Sequence, residues 1–201
     1  TYLDPDKQGF VSVADLQTAL NDETVMVSVQ MANSEVGSIQ PIAELAGAAH
    51  ARGALFHTDA TQALGKTPVD VRALGLDAAS FSAHKICGPK GVGALYLKAR
   101  TPMSEFLGGG GQEEGRRSGT QNVCGIVGFA AACHAACSML EEESIRLAAL
   151  RDRLYSELSA VPGVTATVDV SRGSFLPNIV HVIVGGFESE TLVLRLDMMG
   201  F

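Results

Sequence analysis

The stretch that decides the fold reads Ala-Leu-Phe-His-Thr-Asp-Ala-Thr-Gln at residues 54–62, and its counterpart reads Ser-Phe-Ser-Ala-His-Lys at residues 80–85. Apolar, strand-like runs at Ala54–Asp59 and Asp77–Ser82 lead into polar groups that can ionise or hydrogen-bond. Helix-like and strand-like segments alternate on both sides, which is typical of an α/β sheet. Because the carboxyl ends of such strands form the ligand crevice, we expect these polar groups to meet there.

Periodicity and terminating residues predict the other elements. Helices are expected at Val11–Leu20, Pro41–Arg52, Ala60–Leu64, Asn122–Ala160 and Glu188–Met199, and strands at Thr24–Gln30, Val92–Lys98, Val164–Val170 and Asn178–Val184. The irregular stretch from Met103 to Thr120 is long enough to indicate a functional or a disordered loop. A change in composition near residue 140 predicts a sheet domain at residues 1–140 and part of a smaller α+β domain at residues 141–201.

Composition excludes several classes of function. The 201 residues include 15 basic and 22 acidic side chains, and the net charge of −7 argues against nucleic acid or an anionic membrane as partner. The longest apolar run is interrupted well short of the roughly 20 residues of a membrane span. Cys87, Cys124, Cys133 and Cys137 lack CxxC and metal-ligand spacing, which predicts no metal site and a cytoplasmic location. Cys133 and Cys137 are expected to be buried packing residues.

The two strand ends carry the groups that an aldehyde cofactor such as pyridoxal 5'-phosphate requires. Lys85 supplies an amine, Asp59 a carboxylate for the pyridine nitrogen, Ser82 and His84 phosphate donors, and Gln62 a hydrogen bond to a ring substituent. Each residue alone has an ordinary explanation. Strand-end aspartates often cap the next helix, and most lysines are simply solvated. Their occurrence together at two successive strand ends favours a cofactor site.

Several longer motifs carry a family resemblance. Residues 80–96 resemble the cofactor-lysine segment of cysteine desulfurases, which belong to the class V group of fold-type-I pyridoxal-phosphate enzymes. The likeness extends to residues 32–37, 57–66, 109–120, 176–178 and 188–200, and it covers nearly the whole chain. The Gly-Gly-Gly-Gln-Glu sequence at 109–113 is similar to the NifS/IscS-like branch. This resemblance implies a fold-type-I large domain, with a mixed, mostly parallel sheet and helices on both faces.

The resemblance also implies roles for individual residues. Lys85 would bind the cofactor aldehyde covalently, and Asp59 would hold the protonated ring nitrogen. Gln62 would contact the ring hydroxyl, while Ser82 and His84 would hold the phosphate.

Three further positions follow from the same resemblance. Thr120 matches a residue that reaches the cofactor phosphate of the other subunit, which implies a homodimer. Ser34 stands where the family usually has an asparagine that contacts the ring hydroxyl, and its shorter side chain would reach the ring through water. Cys87 replaces a residue that is usually aromatic, and we expect it to be buried in the fold.

The implied reaction converts L-cysteine to L-alanine and passes sulfur, through a persulfide on an enzyme cysteine, to a sulfur-acceptor protein for iron–sulfur cluster assembly or other sulfur delivery. Family members carry that cysteine on a loop that follows the position of Phe201, so the 201 residues alone are expected to be an inactive fragment. Two alternatives stay open: another class V enzyme, such as a selenocysteine lyase or an aminotransferase, or a non-catalytic domain that retains only the fold.

Overall fold

A computed structural model describes residues 1–201 and contains a four-stranded mixed sheet. Its strands are β1 (Met26–Gln30), β2 (Leu55–Asp59), β3 (Ala78–Ser82) and β4 (Gly93–Leu97). The first three run parallel, and β4 pairs antiparallel with β3. Their order in the sheet follows their order in the chain. The mostly parallel α/β sheet expected from the sequence is confirmed.

Five α-helices accompany this sheet: α1 (Val13–Ala19), α2 (Ile42–Ala51), α3 (Val123–Ser138), α4 (Leu140–Ser159) and α5 (Ser189–Met198). Ser12 caps α1 as its position suggests, since its hydroxyl accepts a hydrogen bond from the Asp15 amide at 3.2 Å. A second, two-stranded antiparallel sheet joins β5 (Val164–Ala166) to β6 (Val182–Val184). Both strands are shorter than predicted. The division into domains at residue 140 stays a prediction.

The prediction of one helix over Asn122–Ala160 is wrong. The segment forms α3 and α4, which meet at Met139 with a bend of 66°. At the end of α3 the Ser138 hydroxyl donates to the Ala135 carbonyl at 2.9 Å, a local bond of the kind that bends helices. No single helix is long and apolar enough to cross a membrane, and α3 and α4 reach the required length and composition only as a bent pair.

The prediction of a helix at Ala60–Leu64 is also wrong, because turns follow β2 instead. The Leu64 amide donates to the Ala60 carbonyl at 3.0 Å, which completes one helical turn. Gly65 then adopts a left-handed φ of 72°, and this conformation stops the helix.

The two faces of β2 differ in burial: one belongs to the core, and the other carries the polar residues. Phe56 and Thr58 are fully buried on the face that belongs to the main core, together with Leu45 of α2. The Thr58 hydroxyl is satisfied by the Val29 carbonyl at 2.8 Å. His57 and Asp59 point to the opposite, half-buried face because side chains alternate along a strand. Burial of one face therefore fixes where the polar groups of the other lie.

The buried carboxylate of Asp77, just before β3, connects the start of that strand to neighbouring elements. Asp77 accepts hydrogen bonds from the Phe56 amide at 2.9 Å and Lys98 Nζ at 3.3 Å, and its Oδ2 lies 2.7 Å from His50 Nε2. Burial alone would raise the pKa of Asp77, but its bonds to Phe56, His50 and Lys98 outweigh that effect and hold the pKa below its usual value. Asp77 thus links α2, β2 and β4 as an anion.

We expect Asp77→Asn to lower the free energy of unfolding by about 2 kcal/mol at neutral pH, because the hydrogen bonds of a buried carboxylate to the Phe56 amide, His50 and Lys98 are weakened or lost. Since the folded-state pKa is depressed, the carboxylate stabilises the fold above its unfolded pKa of about 3.9 and loses this effect as pH falls through the folded value. Urea denaturation at neutral and acid pH should show the difference between wild type and variant shrinking in acid. Asp22→Asn is the control, because the Asp22 side chain is fully exposed; an equal loss in both variants would contradict the assignment.

Candidate active site

Parallel pairing brings the ends of β2 and β3 to one edge of the sheet. Asp59 lies opposite Ser80 in the register, and the Ala60 amide donates to the Ser80 carbonyl at 3.0 Å. Asp59 Oδ1 accepts from the Thr61 amide at 2.9 Å. The carboxylate therefore does cap the following turn, as the ordinary explanation holds. Its second oxygen has no partner within the chain.

A short 3₁₀ helix, Ala83–Ile86, continues directly from β3 and carries two predicted site residues. Ser82 Oγ lies 2.7 Å from His84 Nδ1, so the two predicted phosphate donors form a pair. Lys85 is exposed, and its amine takes part in none of the ion pairs. A lysine without an ion-pair partner thus follows two groups that can donate to an anion, within one short helix and its cap.

The turn after this 3₁₀ helix depends on Gly88. Its amide donates to the Ala83 carbonyl at 2.9 Å, and a Cβ at residue 88 would lie 2.8 Å from that oxygen. Cys87, with φ of 61°, takes the left-handed conformation that ends the helix.

Gln62 and Lys66 form a contact that sequence reasoning missed. Lys66 Nζ donates to Gln62 Oε1 at 2.7 Å, and Gln62 is 9% exposed. Burial lowers the pKa of Lys66, and the positive charge of Lys85 lowers it further. Gln62, Lys66 and Lys85 therefore lie in one neighbourhood. The spacing of four residues between Gln62 and Lys66 is the signal that was available.

His57 is a second group that sequence reasoning left without a role. Its Nδ1 lies 2.8 Å from Ser28 Oγ and its Nε2 2.8 Å from Ser80 Oγ, which makes a polar row across β1, β2 and β3. Burial lowers the pKa of His57, and the charge of Asp59 offsets part of that shift. His57 forms no ion pair with Asp59, because both of its ring nitrogens are taken by serine hydroxyls.

Two predicted residues stand apart from this group. Ser34 is exposed in the turn that follows β1, where Asn33 Oδ1 accepts from the amides of Glu35 and Val36 at 2.8 and 2.9 Å. This turn lies at the carboxyl end of β1, and hence at the same edge of the sheet. Thr120 is exposed in the loop before α3, and no hydrogen bond joins it to the other predicted residues.

Hydrogen bonds within the loop from Met103 to Thr120 join its middle to its end. Gln112 Oε1 accepts from the Gly119 amide at 3.0 Å, and the Ser118 hydroxyl donates to the Gly108 carbonyl at 3.1 Å. These bonds bring the two arms of the loop together just before Thr120.

Two expectations about cysteine burial are wrong. Cys87 is exposed, because its left-handed backbone turns it out of the fold, and Cys137 is exposed as well. Cys133 is partly buried, and burial raises the pKa of its thiol.

Comparison with known proteins decides the family, because all residues from 1 to 201 match the family model described as aminotransferase class-V. The chain belongs to the aminotransferase class V family. Enzymes of this family use pyridoxal 5'-phosphate. The sequence resemblance to this group is confirmed.

Individual proteins similar to this chain are consistent with that family. Cysteine desulfurase IscS of Clostridium botulinum strain Hall is 45% identical over 201 residues, which are 100% of this chain and 51% of that protein. A solved NifS-like protein superposes with a TM-score of 0.95 at 38% identity, over 100% of this chain and 55% of that one. The structure titled SspA in complex with cysteine has a TM-score of 0.65 at 37% identity, over 67% of this chain and 39% of that one. The chain spans about half the length of the curated relatives it matches.

The residues at this edge of the sheet fit the class V cofactor. The unpartnered oxygen of Asp59 suits a protonated ring nitrogen, and the Ser82–His84 pair suits a phosphate. Lys85 offers an exposed amine that no carboxylate holds. We infer that these residues, with Gln62, would hold pyridoxal phosphate.

We expect Lys85→Ala to abolish the visible absorbance of covalently bound pyridoxal phosphate in the intact enzyme, because the variant lacks the amine that would bind the aldehyde, and the amine of Lys66 is already bonded to Gln62. Lys90→Ala is the matched control, since Lys90 is an exposed lysine in the neighbouring glycine-rich turn. The measurement is the spectrum after free cofactor has been removed. Absorbance that survives in Lys85→Ala, or disappears in Lys90→Ala, would show that the wrong lysine has been assigned.

Proposed function

We propose that the protein is a pyridoxal-phosphate-dependent cysteine desulfurase, which converts L-cysteine to L-alanine and leaves the sulfur as a persulfide on an enzyme cysteine. The observation that carries the proposal is the meeting of the Asp59 carboxylate, the Lys85 amine and the Ser82–His84 pair at one edge of the sheet. Two comparisons support the choice of substrate: the 45% identity to a protein named cysteine desulfurase, and the likeness to a structure that holds cysteine.

Asp59 would act by its charge. When bound, pyridoxal phosphate supplies an aldehyde for the substrate amine and a ring that accepts electrons if its nitrogen stays protonated. The free oxygen of Asp59 would keep the proton on that nitrogen. His57, whose pKa is lowered mainly by burial, does not compete as a cation for the carboxylate.

Lys85 would act twice. Its Nζ would hold the cofactor aldehyde, and as a free amine the same group would accept the Cα proton of cysteine. The 3₁₀ helix keeps this amine next to the Ser82–His84 pair. The spacing between the phosphate donors and the base would thereby be set by the backbone of residues 82–85.

The other predicted residues would complete the site. Gln62 would donate to the ring hydroxyl, and Ser34 would approach it through water from the turn after β1. Thr120 would reach the phosphate of a second subunit, so the working unit would be a homodimer with shared sites. The two domains divided near residue 140 would then be a large cofactor domain and a smaller domain.

Sulfur would leave the enzyme for a sulfur-acceptor protein, in iron–sulfur cluster assembly or another delivery route. All four thiols are free, which suits a reducing compartment, and we propose the cytoplasm.

We expect Asp59→Ala to reduce kcat for alanine formation from cysteine at least about a hundredfold in the intact enzyme, because an unprotonated ring is a poor electron acceptor. Bound cofactor should fall much less, since the phosphate and the Lys85 linkage still hold it. Alanine and total sulfide are measured after addition of a thiol reductant, against free cofactor alone. Turnover equal to wild type would mean that Asp59 is only the cap of the following turn.

The same assay separates the competing functions. A desulfurase releases alanine from cysteine without a keto-acid partner, whereas an aminotransferase requires one and a selenocysteine lyase prefers selenocysteine. Cys87→Ser is the informative variant, because Cys87 is exposed and lies two residues from Lys85. Retained alanine formation in Cys87→Ser would agree with an attacking thiol elsewhere in the enzyme, while its loss would make Cys87 the nucleophile.

A further inference from the structure

A lysine outside the predicted set stands closest to the proposed ring-binding glutamine. Lys66 follows Gln62 by four residues along the turns after β2, and its ammonium donates to Gln62 Oε1 at 2.7 Å. The turn is tight at Gly65, where the left-handed φ of 72° and a Cβ position only 2.8 Å from Ala136 leave no space for a side chain. The turn also includes a hydrogen bond from the Lys66 amide to the Ala63 carbonyl at 3.0 Å, so the backbone at Lys66 is fixed by the turn itself.

This contact fixes the orientation of the Gln62 amide. An ammonium group can only donate, so it takes the carbonyl oxygen of the amide and leaves the NH₂ group on the other side. Gln62 Nε2 has no hydrogen-bond partner in the chain, and since no fully buried polar side-chain atom lacks a partner, this nitrogen reaches an accessible surface. Gln62 thus presents a donor, strengthened by the charge on its oxygen side.

Lys66 also lies near the cofactor lysine. The positive charge of Lys85 adds to burial in lowering the pKa of Lys66. Two cationic side chains in one neighbourhood repel each other, and an anionic group near them would offset that repulsion. The ring oxygen of pyridoxal phosphate would supply such a charge.

We propose that Lys66 is a positioning residue, which acts through Gln62 to present an N–H donor to the ring oxygen of the cofactor. The inference rests on the proposed function, because the oxygen belongs to pyridoxal phosphate. Lys66 itself does not touch the cofactor in this arrangement. It sets which end of the amide faces the site, and it adds a positive charge behind that donor.

The test compares Lys66→Met, Gln62→Ala and the double variant in the intact enzyme, with Lys90→Met as an exposed-lysine control. The dissociation constant of pyridoxal phosphate is measured for the apoenzyme of each. We expect Lys66→Met to weaken binding about tenfold, as for loss of a charged hydrogen bond, and Lys90→Met to leave it unchanged. The double variant should bind as Gln62→Ala does, because Lys66 acts only through Gln62. Losses that add in full would overturn the proposal.

A pH titration of the bound cofactor provides a readout that a general packing defect would not move. Lys66 favours the deprotonated, more negative form of the chromophore, so its removal should raise the midpoint pH of the absorbance change. Gln62→Glu should weaken binding more than Gln62→Ala, since the glutamate keeps Lys66 as partner and turns an oxygen toward the ring oxygen. Should Lys66→Met fail to fold, Gln62→Glu carries the same test; tighter binding in Gln62→Glu than in Gln62→Ala would refute the donor orientation.

Failure of this inference is distinguishable from failure of the proposed function. An intact wild-type enzyme that binds no pyridoxal phosphate would overturn both. The link between Lys66 and Gln62 is read separately in the apoenzyme, from the NMR signals of the Gln62 side-chain NH₂ group. Lys66→Met should shift those signals while Lys90→Met leaves them in place, and an absence of any shift would show that Lys66 does not act on Gln62.

Discussion

The parallel pairing of β2 with β3 is the constraint on which the rest of the site depends. Its register sets Asp59 opposite Ser80 and carries the chain from Ser82 straight into the 3₁₀ helix that holds Lys85. A slip of one residue would turn His57 and Asp59 into the core and bring Phe56 and Thr58 out of it. The register is protected by the burial of those two residues and by the Asp77 contacts at the other end of the same strands.

The two sides of the sheet carry different residues: those of the hydrophobic core on one side and the polar residues of the candidate site on the other. The core side of the sheet is apolar and contacts α2, while the other side carries the row of Ser28, His57 and Ser80. The row satisfies its own hydrogen bonds and leaves one oxygen of Asp59 free. Asp59 stays available at the strand end because no ion pair and only the Thr61 amide engage its carboxylate.

The sequence predicted the position of the polar strand ends better than it predicted the helices. Asp59, Ser82 and Lys85 follow strands whose apolar alternation is clear, so their meeting at one edge could be expected. The break at Met139 could not, since both flanking segments have helical periodicity and neither Gly nor Pro marks the junction. Lys66 was missed because its contact with Gln62 depends on the turns after β2, where the sequence predicted a helix that ends at Leu64. The four-residue spacing indicated that Gln62 and Lys66 could meet, but the direction of the Gln62 amide is seen only in the contact itself.

Cys87 and Gly88 show the limit of sequence reasoning most directly. A glycine after a short helix predicts that the glycine takes the left-handed conformation. Here Cys87 takes it, and Gly88 is needed instead for its lack of a side chain beside the Ala83 carbonyl. One methyl group at residue 88 would press on the first residue of the turn that carries Lys85. Any larger residue at position 88 would force the Ala83 carbonyl to move. Gly88, which has no functional group of its own, therefore helps to fix the backbone that presents Lys85.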